Sequence, residues 1–167
     1  GHRHSTGWSK KQQIYFTAVF SQPVHLTLYH DSVQVVGNSL QGLDVKGNVT
    51  VAPVVEELGV KVGISPVSME NAMDNIEQEI KDWNFEKIVD ETTNKWNTEL
   101  SKLQIETTDT VAKRIFYTAL YHAFMQPIMF NDCNKEYRGT DKNIYGDPGF
   151  TNYTVFSLWD TYRAAHP

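Results

Sequence analysis

Short runs of alternating apolar and polar residues fill the first part of the chain and predict β-strands. Residues 13–20 are apolar on both alternating sets, which favours a strand covered on both faces. Shorter runs at 26–29, 33–35 and 60–64 predict further strands, and glycines and prolines lie between them at turn-like intervals. Residues 10–65 therefore predict a sheet of the kind found in β-sandwiches.

Beyond residue 65 the apolar residues recur every three or four positions, which is the period of an amphipathic helix. Ser68 is a suitable N-cap for a helix over residues 69–81, with Glu70 in its first turn. Asn84 is a suitable N-cap for a second helix, whose apolar stripe extends to Leu103. These two helices are predicted to connect the β region to a further domain.

A third helix is predicted from Thr108 or Asp109 to just before Pro127. Nearly every side of this helix is apolar, so the pattern predicts burial on several sides within a larger helical body. Because the chain offers few partners for such a helix, we expect the helical body to continue past Pro167.

The stretch 131–167 combines charged residues with aromatic rings. Its charged and titratable residues include Asp132, Glu136, Arg138, Asp141, Asp147, Asp160, Arg163 and His166. Sugar sites use this combination, because a flat ring packs on the C–H side of a sugar and carboxylates or arginines bind its hydroxyls. Residues 131–149 predict a long loop, a usual place for such groups, and a loop held by ion pairs is the structural alternative.

Four residues of this stretch are the candidate substrate-binding residues. We expect Trp159 to stack on a sugar ring and Asp160 to accept hydrogen bonds from its hydroxyls. The alternative places Trp159 in the core and makes Asp160 a partner of a helix dipole. Arg138 and Asp141 are expected to form an ion pair or to belong to a polar cup nearby.

Composition narrows the range of functions. Fifteen Lys and Arg against 20 Asp and Glu give a net charge of −5, which argues against general nucleic-acid binding. The single cysteine, Cys133, excludes an internal disulfide framework and a cysteine-based zinc cluster. Residues 115–131 lack Asp, Glu, Lys and Arg, but polar residues and Pro127 interrupt them, so a membrane span is not expected.

Several runs of the sequence match one enzyme family. They include Val62-Gly63-Ile64-Ser65-Pro66-Val67-Ser68, Trp83-Asn84-Phe85-Glu86-Lys87, Tyr137-Arg138-Gly139 and Ser157-Leu158-Trp159-Asp160-Thr161-Tyr162-Arg163-Ala164-Ala165-His166-Pro167. On these residues the chain resembles the family-92 glycoside hydrolases, which are bacterial exo-acting α-mannosidases. The resemblance covers almost the whole chain.

The resemblance implies an α+β, multi-domain architecture. Residues 1–65 would be the end of an N-terminal antiparallel β-sandwich, residues 66–107 a helical linker, and residues 108–167 the first helices of an (α/α)6-barrel catalytic domain. The remainder of the same enzyme would then be the partner of this segment.

The resemblance also implies the chemistry. Family members remove terminal α-linked mannose by calcium-dependent inverting hydrolysis, and for this protein we expect the α-1,2 type of linkage, in mannosides or N-glycans. The acid, the base and the calcium ligands are expected beyond Pro167, so no catalytic or metal residue is assigned in this segment, which alone should be inactive. Trp159 and Asp160 would form walls of the subsite for the terminal mannose, with Arg138 and Asp141 nearby.

The family further implies a secreted, periplasmic or cell-surface bacterial protein. Two other hypotheses remain open on the sequence: a carbohydrate-binding module without catalysis or an inactive relative, and a scaffold segment in which Trp159 packs against the barrel.

Overall fold

The structure is a computed structural model that describes residues 1–7, 10–53 and 56–154. Within these ranges the strands are β1 His2–Ser5, β2 Gln12–Phe20, β3 Val24–His30, β4 Val33–Val35, β5 Val45–Val51, β6 Val60–Ser65, β7 Tyr137–Arg138 and β8 Ile144–Tyr145. The helices are α1 Met69–Glu79, α2 Phe85–Leu100 and α3 Thr110–Phe124. The predicted mixture of helices and antiparallel strands is confirmed.

The first sheet has the order β1-β2-β6, and all its strands are antiparallel. Helix α1 packs on one face of this sheet, where Thr17 pairs with Gly63. Glycine is required at position 63, because a Cβ there would lie 2.0 Å from the backbone oxygen of Ala72. The Thr17 hydroxyl also donates to the Met69 carbonyl at 2.9 Å, which fixes the first turn of α1 to β2.

The opposite face of the first sheet is apolar and exposed in the described part of the chain. Phe16 pairs with Ile64 and Ala18 pairs with Val62 on this face. The side chains of Phe16, Val62 and Ile64 are 43%, 58% and 64% exposed. The prediction that β2 is covered on both faces therefore holds on the α1 side alone among the described residues.

The second sheet has the order β4-β3-β5 and includes a strand that the sequence did not predict. Strand β5 pairs with β3 along seven positions, with Leu26 opposite Val49 and Leu28 opposite Gly47. Gly47 and Asn48 are poor strand formers, so their presence hid β5 in the sequence pattern. Apolar residues of β3 and β5 share one face, because successive side chains alternate across a sheet.

The predicted helix caps are confirmed. The side chain of Ser68 accepts the backbone N–H of Asn71, and that of Asn84 accepts the N–H of Lys87. The carboxylate of Asp109 accepts two N–H groups in the first turn of α3. Each side chain satisfies a donor that a helix N-terminus otherwise leaves free, which explains where the three helices begin.

Helix α3 contacts α2, but much of it is exposed. The rings of Trp96 and Tyr121 join the two helices with centroids 4.5 Å apart. Val111 and Ile115 are both 65% exposed, so the predicted burial of α3 on several sides is not met by the described residues. None of the described helices is long and apolar enough to cross a membrane.

The segment after β8 returns to the end of α3. Tyr153 forms an antiparallel bridge with Met129, and the Thr154 N–H donates to the Ile128 carbonyl at 2.8 Å. Residues 155–167 lie outside the described residues.

Candidate functional site

The structure describes two of the four predicted substrate-binding residues. Arg138 lies in β7 and Asp141 lies in the turn between β7 and β8. Trp159 and Asp160 lie outside the described residues.

Arg138 is half-buried and binds backbone carbonyls. Its Nε donates to the Pro66 carbonyl at 2.7 Å, and its Nη2 donates to the Val67 carbonyl at 3.4 Å. Its Nη1 donates to the Lys142 carbonyl at 2.8 Å, within its own hairpin. The guanidinium therefore joins the β7–β8 hairpin to the turn between β6 and α1.

Asp141 is exposed and bonds within its own turn. Its carboxylate accepts the Tyr145 hydroxyl at 2.5 Å and both the backbone and side-chain N–H groups of Asn143. The hydrogen bond from Tyr145, followed by those from Asn143, lowers the pKa of Asp141. The same bond raises the pKa of Tyr145. No ion pair joins Asp141 to Arg138 in the described structure.

Three aromatic rings lie together at the β7–β8 hairpin. The rings of Tyr137 and Tyr145 are stacked with centroids 5.4 Å apart, and Phe150 lies 6.1 Å from Tyr137. Phe150 is 59% exposed, so one face of this cluster is open to an outside group. An exposed aromatic ring beside polar side chains is suited to the apolar side of a sugar.

The most buried carboxylate of the described chain belongs to Asp132, which sequence analysis placed only among the charged residues of the loop. Asp132 is 7% exposed, and one of its oxygens accepts the Ser65 hydroxyl at 2.6 Å and the Asn71 amide at 2.9 Å. Its other oxygen accepts the Asn75 amide at 2.9 Å. The sequence signal for this contact is the spacing of Asn71 and Asn75, which puts two amides on one face of α1.

Further hydrogen bonds connect α1 to the loop that carries Asp132. The Asn71 amide also donates to Glu136 at 2.8 Å, and the backbone N–H of Cys133 donates to the Asn75 side-chain oxygen at 2.8 Å. Burial raises the pKa of the Cys133 thiol, and the nearby Glu79 carboxylate adds to that effect. A raised pKa leaves a smaller fraction of this thiol as the reactive thiolate at neutral pH.

An open groove of about 530 Å³ lies beside this cluster. Its walls come from Glu79 at the end of α1 and from residues of the stretches 129–135 and 147–151. Lys135 and Asp147 form an exposed ion pair at 2.8 Å across these two stretches. That pair lowers the pKa of Asp147 through the hydrogen bond from Lys135.

The described residues do not make a calcium site. No group of three or more His, Cys, Asp or Glu side chains among them could hold a metal ion. Calcium prefers carboxylate and carbonyl oxygens, whereas the groups around Asp132 present N–H and O–H donors to it. The predicted calcium ligands outside this segment stay a prediction.

The sequence was compared with models of known protein families. The model of the glycosyl hydrolase family 92 catalytic domain matches residues 71–167, more than half of the chain. The chain belongs to glycoside hydrolase family 92. The family resemblance read from the sequence is thereby confirmed. A comparison with curated proteins gives no match.

Solved structures of the family agree with the fold. A family GH92 α-mannosidase from Bacteroides thetaiotaomicron superposes with a TM-score of 0.85 at 35% identity, over 99% of this chain and 24% of its own. It has also been solved in complex with mannoimidazole. The GH92 glycosyl hydrolase ccman5 has a TM-score of 0.86 at 29% identity, over 95% of this chain and 22% of its own.

A third solved relative is also a mannosidase of this family. A family GH92 inverting mannosidase from Bacteroides thetaiotaomicron has a TM-score of 0.73 at 26% identity, over 93% of this chain and 22% of its own. The present chain thus spans about a quarter of the length of these family members.

Proposed function

We propose that the intact protein is an exo-α-mannosidase that removes terminal α-linked mannose by inverting hydrolysis. The observation that carries this proposal is the family match over residues 71–167. It is supported by structural relatives that are α-mannosidases, one of them an inverting mannosidase and one solved with mannoimidazole.

Inverting hydrolysis needs two carboxyl groups about 6.5–9.5 Å apart, so that a water molecule fits between the base and the sugar. One protonates the leaving oxygen and the other activates the water. We assign neither group to this segment. A calcium ion, held by ligands outside this segment, would contact the sugar hydroxyls.

This segment would contribute part of the subsite for the terminal mannose. We propose that Trp159 stacks on the sugar and that Asp160 accepts its hydroxyls. Arg138 and Asp141 are the weaker candidates nearby. The carboxylate of Asp141 faces solvent and the guanidinium of Arg138 already binds carbonyls, so Asp141 is the more accessible of the two.

The domain organisation belongs to the same proposal. Residues 1–65 would complete a β-sandwich, residues 66–107 would be the linker, and residues 108–167 would begin an (α/α)6 barrel. The exposed apolar face of β2 and β6 and the exposed side of α3 support this organisation, because apolar surfaces of this kind are normally covered. The remainder of the enzyme would cover them.

Substrate range and location are the finer parts of the proposal. We expect α-1,2-linked mannose in mannosides or N-glycans as the substrate. We also expect a secreted, periplasmic or cell-surface bacterial enzyme, since such glycans lie outside the cell.

A test uses the intact protein and an Asp160→Ala variant. We expect the wild type to release mannose from an α-1,2-mannoside, and the variant to lose most of this activity. Asp90→Ala on the exposed side of α2 is the matched control and should keep it. Full activity of Asp160→Ala would remove Asp160 from the site.

The alternative is a non-catalytic carbohydrate-binding or scaffold segment. Tight binding of mannose without its release from any α-mannoside would favour a binding protein. Unchanged mannose binding after Trp159→Ala would favour a scaffold role for that residue.

A further inference from the structure

Two histidines lie side by side on strand β1. His2 and His4 are two positions apart in this strand, so their side chains share one face of the sheet. The ring centroids are 5.0 Å apart and the ring planes are tilted by 45°. Both residues are exposed, and neither ring has a hydrogen-bond or ion-pair partner within residues 1–7, 10–53 and 56–154. The pair therefore presents two imidazole rings to a ligand from outside.

The neighbouring strand holds this pair in place. Strand β1 is paired with β2 along its whole length, with His2 opposite Tyr15 and His4 opposite Gln13. The ring of Tyr15, which is half-buried, has its centroid 5.9 Å from that of His2. A side chain that its surroundings already restrict loses less freedom when it binds a ligand. The strand pairing and the Tyr15 contact thus reduce the entropy that binding costs.

The separation of the two rings suits two ligands of one metal ion. Zn²⁺ lies about 2.0–2.1 Å from an imidazole nitrogen, which places the ion about 3.2 Å from the ring centroid. Two rings bound at a tetrahedral angle then have centroids about 5.2 Å apart, close to the separation of His2 and His4. Two tilted ring planes intersect, so one ion can lie in both planes, whereas parallel stacked rings share no such point.

The two donor groups select a class of cation. Imidazole nitrogen suits Zn²⁺, Cu²⁺ and Ni²⁺, whereas Ca²⁺ and Mg²⁺ prefer oxygen ligands. The part of the chain that the structure describes holds no group of three or more His, Cys, Asp or Glu side chains that could bind a metal ion. The protein would therefore supply two ligands, and water would occupy the other coordination positions.

We propose that His2 and His4 form a two-ligand site for a divalent transition-metal ion. An ion that binds the folded state alone stabilises it, so the bound metal stabilises β1 in its pairing with β2. This inference does not depend on the proposed mannosidase function.

The test is isothermal titration of Zn²⁺ into the intact protein and into three variants. We expect the wild type to bind Zn²⁺ at this site in the micromolar range. His2→Gln and His4→Gln should each weaken that binding about tenfold or more, because two ligands on one strand bind an ion more tightly than either alone. Arg3→Gln is the matched control, since Arg3 belongs to the same strand but pairs with Ile14 on the opposite face, and it should leave the site unchanged.

Hydrogen exchange locates the ion. Zn²⁺ should slow exchange at the amides of residues 2–5 in the wild type and in Arg3→Gln, but not in the two histidine variants. Exchange in β5 should not change, and Ca²⁺ in place of Zn²⁺ should have no effect on β1.

Four outcomes would overturn the inference. Two concern affinity: Zn²⁺ binding that both histidine variants retain, or that Arg3→Gln weakens equally. The third is slower exchange in β1 with Zn²⁺ in the histidine variants as well as in the wild type. The fourth is a wild type that binds only at millimolar Zn²⁺, which would make His2 and His4 an exposed pair without a site.

Discussion

Replacing Arg138 by methionine should destabilise the protein, because this side chain joins two segments that are distant in sequence. Methionine keeps a long unbranched chain and removes every donor. The bonds lost are those to the carbonyls of Pro66, Val67 and Lys142.

The size of the effect follows from the three contacts. A hydrogen bond from a charged group contributes roughly 1.5–3 kcal/mol. The bond to Pro66 is short and partly buried, so it lies in this range, whereas the exposed carbonyl of Lys142 can bind water instead. The bond to Val67 is long at 3.4 Å and adds little. We expect the free energy of unfolding to fall by about 2 kcal/mol.

The assay is urea denaturation of the intact protein, with Lys135→Met as the matched control. Lys135 is a cation of the same loop, but its ion pair with Asp147 is exposed and should contribute little. A midpoint for Arg138→Met that equals that of the wild type or of Lys135→Met would refute the role derived for Arg138. A rise in KM that the loss of stability does not explain would indicate that Arg138 also contacts the substrate.

Three further substitutions test other parts of the structure. Gly63→Ala should lower the free energy of unfolding, measured by urea denaturation, by about 1–3 kcal/mol or more, because the new Cβ meets the backbone of α1. Gly146→Ala is its control and should be nearly neutral, because the space around Gly146 is open. Asp109→Ala removes the N-cap of α3 and should cost about 1 kcal/mol in the same assay. The carboxyl of Asp141 should titrate by NMR with a pKa below the ordinary value of an aspartate, and Tyr145→Phe should move that pKa upward. Because the pKa of Asp141 is lower in the folded state than in the unfolded state, the stability that this carboxylate contributes is complete above the unfolded pKa and is lost as the pH falls through the folded pKa. An Asp141 titration in Tyr145→Phe identical to that in the wild type would contradict this.

The helices could be predicted from sequence because their signals are local. Ser68, Asn84 and Asp109 each act on backbone groups two or three positions away, so a cap and a periodic apolar stripe sufficed. Strand β5 could not be found in this way. It forms because Val49 and Val51 pair with β3, and that pairing outweighs the low strand propensity of Gly47.

The candidate site was predictable in composition but not in geometry. The loop was expected to carry polar and aromatic groups, and Tyr137, Tyr145 and Phe150 do lie together. The partners of Arg138 and Asp132, however, lie about 60 to 70 positions earlier in the sequence, where no local pattern indicates them. Long-range hydrogen bonds of this kind depend on how the loop packs against α1 and the turn that precedes it.

The most direct test of the proposed function is proton NMR of the intact protein acting on an α-1,2-linked mannobioside in the presence of calcium. We predict release of mannose whose first-formed anomer is β, because hydrolysis with inversion changes the configuration at the anomeric carbon. First formation of the α-anomer would contradict the inverting mechanism, and no release of mannose from any α-mannoside would contradict the assignment as a mannosidase.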